Sequence, residues 1–260
     1  MKTAQTLFSL SGKKAIVTGG AKGLGLAIAR GLLESGCDVA VLCRRPERNA
    51  LLEESAAAGA ARLHMEACDV TSSESCAEAV ARVVDALHGV DILVNCAGVL
   101  HLGFVEELSD AAWRQTIETN LTGTFFMTRA VVGRMKQQHS GRIINLSSMK
   151  SLMGTSLMGY SAYCASKGGV NMLTRQCAAE LGKYGITVNA IAPTFIETDL
   201  NRSVLEKDGY RQKLVGRIPV GRIGQVEDLL GLVYLFASDA SSFINGQIVY
   251  LDGGLSAAQE

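Results

Sequence analysis

The chain is short of the features that mark linkers, specialised surfaces or exported proteins. Only three of its 260 residues are proline, and no charge block or low-complexity stretch interrupts it, so nothing divides it into separate units. Charge of one sign is not in excess: 25 basic side chains face 25 acidic ones. That balance removes the electrostatic reason to expect a nucleic-acid or anionic-membrane partner. No apolar run approaches the roughly 18 residues of a membrane span, and the opening MKTAQTLFSLSGKK lacks the apolar stretch of a signal peptide. A cytoplasmic protein is expected. The seven cysteines (37, 43, 68, 76, 96, 164, 177) are odd in number and contain no C-x-x-C pair, and the four histidines lack metal-ligand spacing. Neither a disulfide framework nor a metal site is expected.

What is plentiful is apolar surface. Hydrophobic residues make up 48% of the chain and charged ones only 19%, which fits a core buried on several faces or further surface hidden between subunits. One domain over residues 1–260 is expected, because α/β sheets commonly reach this length undivided. Short apolar runs at 14–18, 39–43, 62–67, 92–95, 142–146, 186–191 and 247–251 read as strands. Helical spacing follows the first of them from Leu24 and recurs at 46–58, 73–87, 110–137, 161–182 and 226–237. This alternation implies parallel pairing through right-handed crossovers, hence an α/β doubly wound sheet of about seven strands with helices on both faces. Residues 193–216, polar and charged, resist assignment and are expected to form a mobile flap over the carboxyl edge of the sheet.

After the first strand comes Thr18-Gly19-Gly20-Ala21-Lys22-Gly23-Leu24-Gly25. Gly19 and Gly23 allow a tight turn and close approach of backbone to phosphate, while Gly25 lets the next helix pack on the sheet with its positive end toward the anion. Such a loop between first strand and first helix points to a dinucleotide. The second strand ends in Leu42-Cys43-Arg44-Arg45, with no carboxylate to take a ribose diol. Arg44, with Lys22 in the loop, favours a 2′-phosphate, so NADP is expected over NAD. Asp69, in Cys68-Asp69-Val70, is placed to accept from the adenine amino group, and Asn95-Cys96-Ala97-Gly98 lets the chain pass close to the ribose and nicotinamide.

Tyr163-Cys164-Ala165-Ser166-Lys167 opens a helix, so Tyr163 and Lys167 share one face at i and i+4. Upstream, Asn145-Leu146-Ser147-Ser148 ends a strand in hydroxyls at the same edge, and Asn120 is a polar side chain amid core residues that needs a partner. With these pieces the sequence resembles the classical short-chain dehydrogenases/reductases: the glycine loop at 18–25, N-C-A-G at 95–98, Asn120, N-L-S-S at 145–148, Y-C-A-S-K at 163–167 and N-G-Q-I-V-Y-L-D-G-G at 245–254 occur in that family's order over nearly the whole chain.

The resemblance implies a Rossmann-type fold and hydride transfer between a carbonyl carbon and the nicotinamide. Tyr163 would be the general acid and base, and Lys167 would bind the nicotinamide ribose. Ser148 would donate to the substrate oxygen, with Ser147 replacing it only if the strand ended one residue earlier. Asn120 would hold a water linking Lys167 to solvent. Pro193, Ile196 and Thr198 fall in the stretch expected to close over the nicotinamide. A phenol of pKa about 10 becomes a usable base near neutrality only beside positive charge.

Ser151 and Thr194 stand where the family commonly has glycine, which alters the pocket more than the chemistry. The Leu-Met pairs at 152–153 and 157–158, with Tyr160, suggest an adaptable apolar pocket, and Glu197, Asn201 and Arg202 suggest polar contacts from the flap. The expected substrate is a small secondary alcohol or ketone: a polyol, sugar acid or cyclic ketone. A 3-oxoacyl-carrier-protein reductase is the alternative, disfavoured because Ala179 stands where a docking arginine is expected; a non-catalytic cofactor-binding scaffold is a third reading. The family also implies a homo-oligomer, tetramer or dimer, through the helices at 110–137 and 161–182 and the C-terminal strand.

Overall fold

The structure, a computed structural model, describes residues 3–199, 201–206 and 209–258. Among these, the strands are β1 (Lys14–Thr18), β2 (Asp38–Cys43), β3 (Leu63–Ala67), β4 (Ile92–Asn95), β5 (Gly141–Leu146), β6 (Ile186–Pro193) and β7 (Ile248–Leu251). All pair in parallel in the order β3-β2-β1-β4-β5-β6-β7. The order reverses direction between β1 and β4, and the carboxyl ends on either side of that switch open the crevice where ligands of such sheets bind.

The helices are α1 (Ala4–Leu7), α2 (Gly23–Glu34), α3 (Ala50–Ala58), α4 (Ser73–Leu87), α5 (Asp110–Ile117), α6 (Gly123–Gln138), α7 (Ser161–Leu181), α8 (Arg202–Leu205), α9 (Tyr210–Val215) and α10 (Val226–Ala237). Two apolar layers cover the sheet. One packs Ile28, Leu32, Leu52, Val233 and Phe236 against β1, β2 and β4; the other packs Val80, Val83, Met127, Val131 and Leu181 on the opposite face. The doubly wound architecture expected from the alternation is therefore the observed one.

Three boundaries depart from the periodicity. The second long helix begins at Ala50 rather than 46, because the Asn49 side chain accepts the Leu52 N–H and fixes the start there. The helical stretch at 110–137 is two helices joined by a π-helical turn over Glu118–Thr122, a widening that apolar spacing does not encode. The expected flap begins later than its polarity suggested: Pro193 is the buried last residue of β6, and beyond it lie α8 and α9. Leu200, Lys207 and Asp208 of that stretch fall outside the described residues.

Two loops that follow separate strands are fastened together near the carboxyl edge. Gly103 N–H donates to the Gly159 carbonyl at 3.0 Å, and Gly103 bridges Tyr160 in parallel. A Cβ on Gly159 would fall 2.0 Å from the Gly103 carbonyl carbon, so glycine is required for this approach.

Beneath the same edge runs a buried polar ladder. Asn95 donates to Asn145 Oδ1 at 2.9 Å and to Thr128 Oγ1 at 3.2 Å, while Asn145 donates to Thr174 Oγ1 at 2.9 Å. It ties β4 and β5 to α6 and α7, the latter carrying Tyr163 and Lys167. Removing one member strands its partners in a low-dielectric interior. Asn145→Ala is expected to cost about 2–3 kcal/mol of folding stability, measured by urea denaturation, because a buried amide is lost and its neighbours are left unpaired.

Candidate active site

The π-helical turn at Glu118–Thr122 turns Asn120 fully into the interior, where its side chain finds three partners. Oδ1 accepts the Val99 N–H at 2.8 Å, and Nδ2 donates to the Val99 carbonyl at 3.0 Å and to Ser166 Oγ at 3.1 Å. Asn120 thereby clamps the loop after β4 to the start of α7. Thr18, a residue whose part the sequence alone does not reveal, secures the same loop from β1. Its Oγ1 accepts from Cys96 N at 3.0 Å and Ala97 N at 3.1 Å.

Lys167, on the first two turns of α7, is buried, as is Asn120. A Cβ on Gly98 would stand 3.3 Å from Asn120 Oδ1 and 3.9 Å from Lys167 Nζ, so this glycine leaves the approach to both groups open. The Lys167 ammonium donates to the Leu146 carbonyl at 2.6 Å and lies 5.7 Å from the Tyr163 ring centroid. Burial lowers its pKa to about 8. The Tyr163 hydroxyl is pushed above its ordinary value by burial, an effect opposed by its hydrogen bond with the Ser148 side chain. Depression of the phenol, expected from neighbouring positive charge, is thus not the state of the protein alone: lysine and tyrosine both lean toward neutrality.

The paired serines differ in what holds them. Ser147 Oγ donates to Asn171 Oδ1 at 2.6 Å and is spent within the fold. Ser148 Oγ accepts the Lys150 N–H at 3.1 Å and is the hydroxyl that meets Tyr163. Ser151, the residue in place of a common glycine, donates to the Ser148 carbonyl at 2.5 Å and accepts from Asn171 Nδ2 at 2.8 Å. Its hydroxyl fastens the turn that carries Ser148. Burial raises the Cys164 thiol, against a smaller lowering by Lys150, which gives it the character of a protonated thiol rather than a nucleophile.

The glycine loop forms a cradle. Gly19 and Gly23 have φ of +66° and +55°, and a Cβ on Gly25 would fall 2.3 Å from the Gly19 carbonyl oxygen. Lys22 caps α2 from an exposed position, Leu24 is half-buried, and Arg44 lies exposed just past β2, near enough for its charge to lower the Asp69 pKa. Asp69 Oδ1 accepts from Thr71 N and Oγ1, at 3.0 and 2.8 Å, which is the larger cause of that lowering; Oδ2 has no partner among the described residues. Val70 is buried against Gly123. Asn95 spends its amide nitrogen on the ladder, leaving Oδ1 buried and unpartnered.

At the far side, Ile196 is buried and bridges Gly224, and Thr198 N–H donates to Asn201 Oδ1 at 2.9 Å. The polar flap contacts expected for a substrate are directed elsewhere. Glu197 pairs with Arg211 at 2.9 Å and Arg202 at 3.4 Å, and Asn201 also donates to the Ile196 carbonyl. These side chains hold the segment's own shape. Among the described residues there is no group of metal-ligating side chains, and no helix is long and apolar enough to cross a membrane.

The chain is similar to known proteins over nearly its whole length. A family model described as enoyl-(acyl carrier protein) reductase matches residues 19–256. The chain is 34% identical over 252 residues to a gluconate 5-dehydrogenase of Gluconobacter oxydans, covering 97% of this chain and 98% of that one. It is 35% identical over 248 residues to a 3-oxoacyl-[acyl-carrier-protein] reductase of Chlamydia pneumoniae, covering 95% and 98%. A crystal structure of a gluconate 5-dehydrogenase from Burkholderia cenocepacia, in complex with NADP and tartrate, superposes with a TM-score of 0.89 at 33% identity, covering 99% of this chain and all of that one.

The buried ammonium carries a measurable cost. Its pKa of about 8 lies below the ordinary lysine value, so the unfolded chain binds more protons between about pH 8 and 10.5, and stability rises with pH across that window. Below pH 8 the full penalty applies. Lys167→Met is expected to be more stable than the natural protein at pH 7 by about 2 kcal/mol, the gain shrinking toward pH 10 in thermal melts across that range.

Proposed function

The chain belongs to the short-chain dehydrogenase/reductase family, and we propose that it is an NADP-dependent oxidoreductase interconverting a secondary alcohol and ketone on a small sugar acid. The single observation that carries the chemistry is the convergence of Ser148, Tyr163 and Lys167 at the carboxyl edge, beside a loop able to cradle a dinucleotide.

Gly19, Gly23 and Gly25 with the start of α2 hold the pyrophosphate, Lys22 and Arg44 take the 2′-phosphate, and Asp69 and Val70 border the adenine. Asn95, Ala97 and Gly98 border the ribose and nicotinamide, with Pro193, Ile196 and Thr198 on the other side. The nicotinamide, when bound, supplies or accepts the hydride. In the reducing direction Ser148 Oγ donates to the carbonyl oxygen and polarises it, and the Tyr163 phenol delivers the proton as negative charge develops there. In the oxidising direction Tyr163 accepts that proton. Lys167 keeps positive charge beneath the phenolate and binds the ribose hydroxyls, and Asn120 fixes the loop and holds the water through which Lys167 reaches solvent.

The sugar-acid reading is supported by the gluconate dehydrogenases among the relatives. The carrier-protein alternative fits the surface less well, because exposed Ala179 and Gln176, the latter bonded to Glu180, leave Arg175 as the sole cation of that stretch to meet an acidic carrier. The presence of all four polar groups argues against a scaffold without turnover. We place the enzyme in the cytoplasm, where seven unpaired thiols suit a reducing compartment. It forms one domain whose segment beyond Pro193 acts as the flap. Assembly into a homo-oligomer is supported by exposed Trp113, Phe125 and Met172 on α5, α6 and α7, and by fully exposed Phe243.

Steady-state assays with NADPH and 5-keto-D-gluconate against acetoacetyl-carrier protein test the reading; a specificity constant clearly higher for the carrier-bound substrate refutes it. Tyr163→Phe is expected to lower turnover at least about a hundredfold while cofactor affinity stays nearly unchanged, since one hydroxyl is lost. Arg44→Asp is expected to weaken NADP binding by roughly tenfold or more and NAD binding much less, by calorimetry at physiological salt. Equal affinity of the natural protein for the two cofactors contradicts the assignment of Lys22 and Arg44.

A further inference from the structure

Two residues beyond Ser148, Lys150 sits in a short 3-10 turn whose backbone is already engaged at the site, its N–H donating to Ser148 Oγ. Its side chain is half-buried, and the ammonium lies 5.1 Å from the centroid of the Tyr160 ring. Tyr160 in turn stands 6.2 Å, ring to ring, from Tyr163. The cation is therefore one aromatic contact removed from the acid–base hydroxyl. Among the described residues it has neither an ion pair nor a hydrogen bond from Nζ.

An unpaired, partly desolvated ammonium is unfavourable unless something answers its charge. Burial lowers the Lys150 pKa, and Arg217, beyond α9, lowers it further by like-charge repulsion; the neighbour acting in the other direction is the Cys164 thiol. No carboxylate stands among the groups acting on Lys150. A neutral ketone or polyol leaves that charge unanswered, whereas an acid answers it. The aromatic face of Tyr160 holds the ammonium in place without neutralising it.

We propose that Lys150 is the residue that reads the substrate's carboxylate, so that the pocket selects a hydroxy or keto acid over its uncharged counterpart. This rests on the sugar-acid reading above and names the group that enforces it. The acid end of the substrate lies toward Lys150 and Tyr160, and the reacting carbon lies at Ser148 and Tyr163. The hydroxyls between them face the half-buried Met153 and Met158 region, an adaptable wall.

The test compares 5-keto-D-gluconate with its carboxamide, reduced by the natural enzyme, Lys150→Met and Lys150→Arg. The natural enzyme is expected to favour the acid. Lys150→Met is expected to lower kcat/KM for the acid by roughly 10- to 100-fold, mainly through KM, with a far smaller loss on the carboxamide. Lys150→Arg should recover part of the loss, since charge is kept. Equal losses on both compounds would mean that Lys150 only shapes the Ser148 turn, and an unchanged constant for the acid would mean that it does not meet the carboxylate; either overturns the proposal. A calorimetric titration of tartrate into the NADP-loaded proteins is independent of turnover. Binding weakened about tenfold or more in Lys150→Met supports the proposal even if 5-keto-D-gluconate proves not to be a substrate. Equal binding, or none to the natural protein, overturns it.

Discussion

The structure is organised around one costly charge, the ammonium of Lys167, placed where water cannot reach it freely. The Leu146 carbonyl accepts from it, Gly98 withholds a side chain so that its surroundings stay open, and Tyr163 lies across it. Asn120 holds the loop that carries Gly98, and Thr18 holds the next turn of that same loop to the first strand. Each of these positions depends on the others because one desolvated cation must be met from several elements at once. Its reward is functional: a cation near its own point of neutrality responds strongly to what binds beside it.

The glycine loop and the surroundings of Ser148 and Tyr163 handle charge differently. At the glycine loop, backbone and the first turn of α2 offer partial charges that cost little to bury, and the full charges nearby, Lys22 and Arg44, stay at the surface. Around Ser148 and Tyr163 full charges sit closer in: Lys167 is buried and Lys150 half-buried.

Much of this was legible in the residues themselves. The alternation of period-2 and period-3.6 patterns gave the sheet, its parallel sense and the helix boundaries at 73–87 and 226–237, because apolar burial on both faces leaves a clean imprint. That Tyr163 and Lys167 share one face of a helix was readable from their i and i+4 spacing, while the roles assigned to them come from the family resemblance. The π-helical turn was not, since a single widened turn leaves the spacing of Ile117, Leu121 and Phe125 helical in appearance. Nor was the division of labour between Ser147 and Ser148, which depends on Asn171, a residue twenty-four positions from Ser147. Lys150 carried no pattern at all: only its nearness to Tyr160 and its lack of an acidic partner set it apart. The charges beyond Pro193 were legible as polar but not as mutually satisfied, because Glu197, Arg202 and Arg211 meet only once the segment is folded.

The fastening of Gly103 to Gly159 has a consequence for how such a pocket can diverge. The loop after β4 and the loop before α7 meet backbone to backbone, so neither can lengthen, shorten or change its twist alone without displacing the first turn of the helix that bears Tyr163. New substrate preference therefore has two routes: side-chain replacement within a fixed frame, or paired remodelling of both loops. A graft that transplants one loop from a relative without its neighbour would carry the specificity residues across and leave the tyrosine misaimed.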